Sequence, residues 1–200
     1  ALTRAVLGAG LRDAAGWHAA GLGVRLSVNV SMRDLVELDF PDEVEREVGA
    51  AGLSNGGLLL EITETQLSRD RVALLDIVTR LRLKRIGLAI DDYGTGYSTL
   101  SLLRDVPFDE LKIDRDFVRG LAESTALQAM VEANIAMAHQ LGMRTVGEGV
   151  ERAADLERLR ALGCDLAQGF LIARPMPAAE LPDWIARWNA QGPTARPARA

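Results

Sequence analysis

The sequence predicts a single α/β domain built on parallel strands, and three observations support this prediction. Short runs rich in branched and apolar residues alternate with helical stretches between residues 24 and 190. No internal repeat, low-complexity block or linker interrupts residues 20–190. The composition of the 200 residues, 48% hydrophobic and 26% charged, is that of a soluble globular protein, which excludes wholesale disorder and a fibrous architecture.

Six strands are predicted from short runs that favour the β conformation. They are Val24–Val30, Leu58–Thr63, Ile86–Asp91, Glu110–Ile113, Thr145–Val150 and Leu166–Leu171. Helical stretches separate successive strands, which is typical of βα units and indicates that the strands run parallel.

The helices are predicted from apolar residues that recur every three to four positions. They are Ala1–Ala20, Asp42–Ala51, Arg69–Leu83, Thr125–Leu141, Ala153–Leu162 and Ala178–Trp188. The last residues, 192–200, are rich in Pro, Ala and Arg, so we expect residues 1–191 to form the domain and residues 192–200 a disordered tail.

The charge and the cysteine count restrict the partners and the compartment. Twenty-eight acidic and 23 basic residues give a net charge of −5, which argues against binding to a nucleic-acid polymer. The single Cys164 cannot form an internal disulfide, and no signal segment is present, so we expect a cytoplasmic location. No apolar run reaches the roughly 18 residues of a membrane span. The chain begins in a predicted helix and has no initiator Met, so we expect it to be part of a larger polypeptide. Other domains of that parent protein would be able to attach it to a membrane.

Polar side chains able to bind a metal ion or a phosphate end each predicted strand. They are Asn29, Glu61, Asp91 with Asp92, Lys112, Glu148 and Gln168, at intervals of 32, 30, 21, 36 and 20 residues. The carboxyl ends of parallel strands meet at one face, so these groups are expected to share a site. Carboxylates crowded together repel one another unless cations neutralise them, and a set without thiolates or a histidine pair favours Mg²⁺ or Mn²⁺ over zinc.

The stretch from Ala89 to Phe117, AIDDYGTGYSTLSLLRDVPFDELKIDRDF, resembles the EAL domain family of cyclic di-GMP phosphodiesterases. Further matches follow the family's order: SVNVS at 27–31, LEITET at 60–65, VGEGVE at 146–151 and LGCDLAQGFLIARPMP at 162–177. The resemblance implies an α/β fold, a TIM-like (β/α) barrel of the EAL type. It also implies a two-metal site that hydrolyses one phosphodiester bond of cyclic di-GMP to linear pGpG, in bacterial second-messenger signalling.

The resemblance also implies a role for each matching residue. Asn29, Glu61, Asp91 and Glu148 resemble ligands of the first metal, and Asp92, with Asp91 bridging, resembles the ligand of the second. The catalytic residues implied are Lys112, which activates the attacking water, Gln168, which orients metal-bound water, and Glu64, which steadies the loop Tyr93–Tyr97. Asp114, Gly94, Thr95, Gly96 and Pro175 fall at substrate-binding positions, and Glu151 at a structural or dimer-interface position.

Single residues of this set also have simpler interpretations. Asp91 and Asp92 before a glycine turn are typical of a helix cap or a βα loop, and Lys112 is typical of a solvated charge at a strand end. Their joint occurrence at successive strand ends is what favours a site.

The sequence departs from the family at its beginning, because it contains no Glu-Ala-Leu tripeptide. The resemblance implies two further strands and a helix ahead of Val24, which would supply one glutamate ligand and an arginine near the substrate. We therefore expect an incomplete barrel with about six of eight strands, and little or no phosphodiesterase activity from this chain alone.

Three classes of function stay open at this point. The chain is an enzyme or the major part of one, a noncatalytic cyclic di-GMP receptor, or a dimerisation and interaction module. The family resemblance also implies a homodimer and upstream sensory or regulatory domains in the parent protein.

Overall fold

A computed structural model describes residues 2–53, 55–64, 71–94 and 100–190. The chain divides into two compact units. The first unit comprises Ala1–Asp91 with Gly96–Asp109, and the second comprises Asp92–Thr95 with Glu110–Ala200. The predicted tail, residues 192–200, lies outside the described residues.

Three parallel strands form the sheet of the first unit: β1 Leu26–Asn29, β2 Leu58–Thr63 and β3 Gly87–Tyr93, whose last two residues belong to the second unit. Asn29 pairs in register with Glu61, and Thr63 pairs with Asp91. Alternate residues of a strand face the same side, so Asn29, Glu61 and Asp91 lie on one face of these strands.

The helices of the first unit are α1 Leu2–Ala19, α2 Phe40–Ala50, α3 Arg71–Leu83 and α4 Leu100–Asp105, with 3₁₀ turns at Asp34–Val36 and Asn55–Gly57. Its core contains side chains with no exposed surface, among them Leu58, Leu60 and Phe40. Arg4 of α1 donates hydrogen bonds to Asp34, Glu37 and Glu43, at 3.2, 2.7 and 2.7 Å. These ion pairs join α1 to the segment before α2 and to the first turn of α2 itself.

The second unit has three parallel strands of its own: β4 Glu110–Ile113, β5 Arg144–Gly147 and β6 Leu166–Ala167. Its helices are α5 Arg115–Val118, α6 Thr125–Gln140, α7 Ala153–Ala161 and α8 Leu181–Ala190, with a 3₁₀ turn at Ala178–Glu180 before α8. Helix α6 begins after Ser124, whose hydroxyl accepts a hydrogen bond from the amide of Leu127. Val131 and Ile135 of this helix are buried in the core.

The predicted elements agree with the structure best where a strand is fully buried. The bounds of β2 and β4 are those predicted, and all their residues are buried apart from the half-buried Thr63. Helix α2 begins at Phe40 instead of Asp42, because Pro41 fits the first helical turn, where no amide donor is needed. The short helices α4 and α5 were not predicted, since one or two turns carry too little periodicity to identify.

The last two strands end earlier than predicted. β5 was predicted to reach Val150 and β6 to reach Leu171, but they end at Gly147 and Ala167. At Gly169 a Cβ atom would lie 2.2 Å from the carbonyl oxygen of Val150, so the two segments touch through their backbones. A turn closed by a hydrogen bond from the amide of Ile172 to the carbonyl of Gly169 then replaces the extended conformation.

No helix in the described ranges is long and apolar enough to cross a membrane.

Asp165 connects three elements of the second unit. Its carboxylate accepts hydrogen bonds from the amide of Thr145 at 2.8 Å, from the hydroxyl of Thr145 at 2.9 Å and from Nε2 of His139 at 2.8 Å. Burial alone raises the pKa of Asp165, but the hydrogen bonds from His139 and Thr145 outweigh it and hold the pKa below its usual value. The end of α6, the start of β5 and the turn before β6 therefore share one anionic acceptor.

We expect Asp165→Asn to lower the free energy of unfolding by about 1 to 2 kcal/mol at neutral pH, because the amide is a weaker acceptor and adds donors. The folded pKa lies below the unfolded one, so the contribution of Asp165 is present above about pH 4 and is lost as the pH falls through the folded pKa. Urea unfolding from neutral to acid pH measures this. Asp183→Asn, at an exposed position of α8, is the matched control, and an equal difference between wild type and Asp165→Asn at every pH would contradict the assignment.

Candidate functional site

A cavity of about 420 Å³ opens in the second unit, where the loops that follow its strands meet. Polar residues make up most of its wall. The lining residues are Asp92, Asp114, Arg115, Asp116, Glu148, Gly149 and Gln168. Four of the seven are carboxylates, so the wall is strongly acidic.

A buried ion pair lies at this cavity, between Lys112 of β4 and Glu148 just after β5. Lys112 Nζ lies 2.7 Å from Glu148 Oε1, and the two side chains are 6% and 15% exposed. Lys112 pairs in register with Val146, so Glu148, two residues later, faces the same side. The amide of Glu148 donates to the carbonyl of Ile113 at 3.0 Å, which continues the alignment of the two strands. An ammonium group at this depth needs an anion beside it, and Glu148 is that anion.

Asp92 brings a second carboxylate to Glu148. Oxygen atoms of the two side chains lie within 4.8 Å of each other. The backbone of Asp92 has φ +53°, a left-handed conformation that aspartate adopts more readily than most residues. Such strain is often found at functional sites. Two carboxylate oxygens at this separation form a donor set that suits a hard divalent cation such as Mg²⁺ or Mn²⁺.

The chain beyond Asp92 is held by its neighbours in the second unit. Tyr93 donates its hydroxyl hydrogen bond to the sulfur of Met137 at 3.9 Å. Gly94 has φ +101°, and a Cβ atom there would lie 2.7 Å from the ring of Phe117. Only glycine combines this conformation with this close approach, so the contact places the turn that follows Asp92.

Asp114 begins helix α5 and places the next two residues at the cavity. Its side chain accepts a hydrogen bond from the amide of Asp116 at 2.8 Å, which caps the helix. Asp114 is buried, whereas Arg115 and Asp116 are exposed. Gly149 opposite has φ +63°, and a Cβ atom there would lie 2.4 Å from Cβ of Arg115.

Gln168 reaches the cavity from the end of β6. Its amide donates to the carbonyl of Gly147 at 2.9 Å, and its carbonyl accepts from the amide of Val150 at 3.0 Å. The backbone is thus fixed on both sides, while the side chain is exposed at the cavity wall.

In the first unit, the structure brings three predicted metal ligands to neighbouring strands. Asn29 is exposed, whereas Glu61 and Asp91 are buried, and all three share a face of β1, β2 and β3. The hydroxyl of Ser27 donates to Glu61 Oε1 at 2.5 Å. Glu64 is also buried, and its amide donates to the carbonyl of Asp91 at 3.0 Å.

The remaining predicted residues have different placements. Glu151 and Pro175 are exposed and are not among the residues that line the described cavity. Thr95 and Gly96 lie outside the described residues. Sequence reasoning missed Arg115, Asp116 and Gly149 as cavity residues, although all three lie inside the segments that carry the family resemblance.

Comparison with known proteins gives a consistent result. The sequence model of the EAL domain family matches residues 1–175. The cyclic di-GMP phosphodiesterase PA2567 of Pseudomonas aeruginosa is 40% identical over 182 residues, which cover 91% of this chain and 31% of that protein. The chain spans between 23% and 31% of the length of the first relatives it matches.

Solved structures are similar over most of the chain. The EAL domain of DcpA from Mycobacterium smegmatis superposes with a TM-score of 0.88 at 38% identity, covering 93% of this chain and 84% of that one. BlrP1 of Klebsiella pneumoniae, solved as a complex with manganese and cyclic di-GMP, superposes with a TM-score of 0.78 at 33% identity, covering 86% of this chain and 45% of that one. The predicted fold, an incomplete TIM-like barrel of the EAL type, is confirmed, and six of its strands occur in the described ranges.

We expect Lys112→Gln to lower the free energy of unfolding by about 3 kcal/mol in metal-free buffer, because it leaves the Glu148 carboxylate without its buried cation. Glu148→Gln is expected to have a similar cost, and the double variant is expected to be more stable than the sum of the two single losses predicts. Urea unfolding of the four proteins measures this coupling. Additive losses would show that the two side chains do not stabilise each other.

Proposed function

The chain belongs to the EAL domain family, and from this we propose that its cavity is part of a metal-dependent phosphodiesterase site that hydrolyses cyclic di-GMP to linear pGpG. The observation that supports this best is the meeting of Lys112, Glu148 and Asp92 at one cavity. A buried cation beside carboxylates of this kind suits the cleavage of a phosphodiester, in which negative charge develops on oxygen. The relative PA2567 carries the same activity in its name.

The residues present fit divalent cations. Asp92 and Glu148 offer carboxylate oxygens within 4.8 Å of each other, and thiolates are absent from the described cavity wall. We propose that Asn29, Glu61, Asp91 and Glu148 hold one ion and that Asp91 and Asp92 hold the second, with Mg²⁺ or Mn²⁺ as the metal. When bound, such ions supply charge neutralisation for the phosphate and acidify water.

The chain's own side chains would then position the reactants. The Lys112 ammonium, held 2.7 Å from Glu148, would stabilise developing negative charge on the attacking oxygen without acting as a strong base. Gln168, with its backbone fixed at both sides, would orient the attacking water through its side-chain amide. Asp114 lies at the same cavity and would accept hydrogen bonds from the substrate.

Residues outside the described cavity wall also have proposed roles. We propose that Gly94, Thr95 and Gly96 allow close backbone approach to the substrate, that Pro175 contacts it, and that Glu64 steadies the loop that contains these glycines. Glu151 is proposed as a structural or dimer-interface residue of a homodimer. We propose that the parent protein acts in cytoplasmic signalling and that its upstream domains control this site.

We expect Asp92→Asn to reduce the turnover of cyclic di-GMP at least about 100-fold in the natural protein that carries this chain, because one ligand of the second ion loses its charge. The measurement is chromatographic detection of pGpG in the presence of Mn²⁺. Asparagine tolerates the left-handed conformation of Asp92, so the fold is expected to be retained.

Glu132→Gln is the matched control for this experiment, since it replaces an exposed carboxylate on α6 by an amide. If the wild type binds cyclic di-GMP tightly but forms no pGpG, the chain is a noncatalytic receptor and not an enzyme. If cyclic di-GMP is neither bound nor hydrolysed, the chain is an interaction module.

Metal addition tests the donor set independently of turnover. After removal of metal with a chelator, we expect Mn²⁺ at about 100 times its Kd to raise the Tm by roughly 5 to 10 °C, because the ion binds only the folded chain. Glu148→Gln is expected to abolish most of this rise, whereas Glu132→Gln keeps it. Equal shifts in wild type and Glu148→Gln would show that the ion binds elsewhere.

A further inference from the structure

The cavity of the second unit has an uneven charge distribution. Four of its lining residues are acidic, namely Asp92, Asp114, Asp116 and Glu148, and Arg115 is the one basic residue among the described lining residues. Lys112 lies next to this wall, but its ammonium group is buried and paired with Glu148. The basic group that a ligand meets inside the described cavity is therefore Arg115.

The guanidinium of Arg115 makes no hydrogen bond or ion pair within the part of the chain that the structure describes. Asp114 accepts the amide of Asp116 and caps α5. The guanidinium is left exposed at the cavity, with its five donors available to a ligand.

The backbone beneath Arg115 is held in place by a tight contact. A Cβ atom at Gly149 would lie 2.4 Å from Cβ of Arg115 and 3.4 Å from its Cα. Gly149 also has φ +63°, so a larger residue is excluded for two reasons. The cap at Asp114 fixes the same backbone from its other side. The Cα and Cβ atoms from which the guanidinium extends are therefore held in place.

We propose that Arg115 binds a phosphate group of the cyclic dinucleotide and so sets the affinity of the site for its substrate, an inference that rests on the proposed function. A dianionic ligand entering a cavity with four carboxylates experiences repulsion that a fixed cation offsets. Guanidinium matches phosphate oxygens with two parallel N–H donors. Arg115 acts here as a substrate-binding residue, whereas Lys112 acts at the reacting oxygen.

The inference is tested by calorimetry, in which cyclic di-GMP is titrated into the natural protein that carries this chain in the presence of Ca²⁺. Calcium is chosen because BlrP1 has also been solved as a complex with calcium and cyclic di-GMP. We expect Arg115→Gln to weaken binding about 10- to 100-fold, the loss typical of a charge-assisted hydrogen bond. Arg115→Lys keeps a point charge that still attracts phosphate but loses the two parallel N–H donors, so we expect it to bind more weakly than wild type and more tightly than Arg115→Gln.

Arg119→Gln is the matched control, because Arg119 follows α5, is exposed and does not line the cavity. We expect it to bind within about twofold of wild type. In steady-state assays, Arg115→Gln is expected to raise KM while kcat changes less than about threefold, since the contact is made in both ground and transition states. Tm values near that of wild type confirm that each variant is folded.

Each outcome separates the inference from the proposed function. If wild type binds cyclic di-GMP and Arg115→Gln binds equally well, the role of Arg115 is overturned and the proposed function stands. If Arg115→Lys binds no more tightly than Arg115→Gln, the positive charge contributes nothing to affinity, and the phosphate assignment is overturned. If wild type binds no cyclic di-GMP, the proposed function itself fails.

Discussion

The ion pair between Lys112 and Glu148 is the constraint on which the candidate site depends. Both side chains are largely withdrawn from solvent, and each makes the burial of the other tolerable. Because Glu148 directly follows β5, the pair also fixes the loop that carries Gly149. The positions of Asp92, which lies within 4.8 Å of Glu148, and of Arg115, which packs on Gly149, are therefore tied to this pair. The charge pairing of Lys112 with Glu148 and the backbone conformation at Gly149 therefore depend on each other.

Other carboxylates of the chain also have hydrogen-bond donors close in space. Glu61 accepts a hydroxyl from Ser27, Asp114 accepts an amide at the start of α5, and Asp165 accepts three donors from two residues. These acceptors have local or strand-neighbour partners that persist without any ligand. Asp114 and Glu148 also line the cavity, so carboxylates that support the fold form part of its acidic wall. The fold and the candidate site therefore depend on some of the same side chains.

Much of this arrangement was predictable from the sequence, and the reasons are physical. The buried strand β2 is a short and mostly apolar run, so its bounds follow largely from hydrophobicity. The strand-end positions of Glu61, Lys112 and Glu148 follow from the regular length of βα units. The early end of β6 was not predictable, because it results from backbone contact between Gly169 and Val150, which are far apart in sequence. The place of Arg115 at the cavity was missed for the same reason, since its packing partner Gly149 lies on another loop.

The left-handed backbone of Asp92 has a consequence for how substitutions at the end of β3 are interpreted. An alanine there would remove a carboxylate and also impose a conformational penalty, because it lacks the short polar side chain that lets aspartate and asparagine adopt that region of φ and ψ through local hydrogen bonds. Loss of function in such a protein would mix two causes that no activity assay separates. Among polar replacements, asparagine removes the charge while its backbone preferences stay close to those of aspartate. The left-handed backbone at Asp92 therefore makes asparagine the replacement from which the effect of the lost charge can be measured by itself.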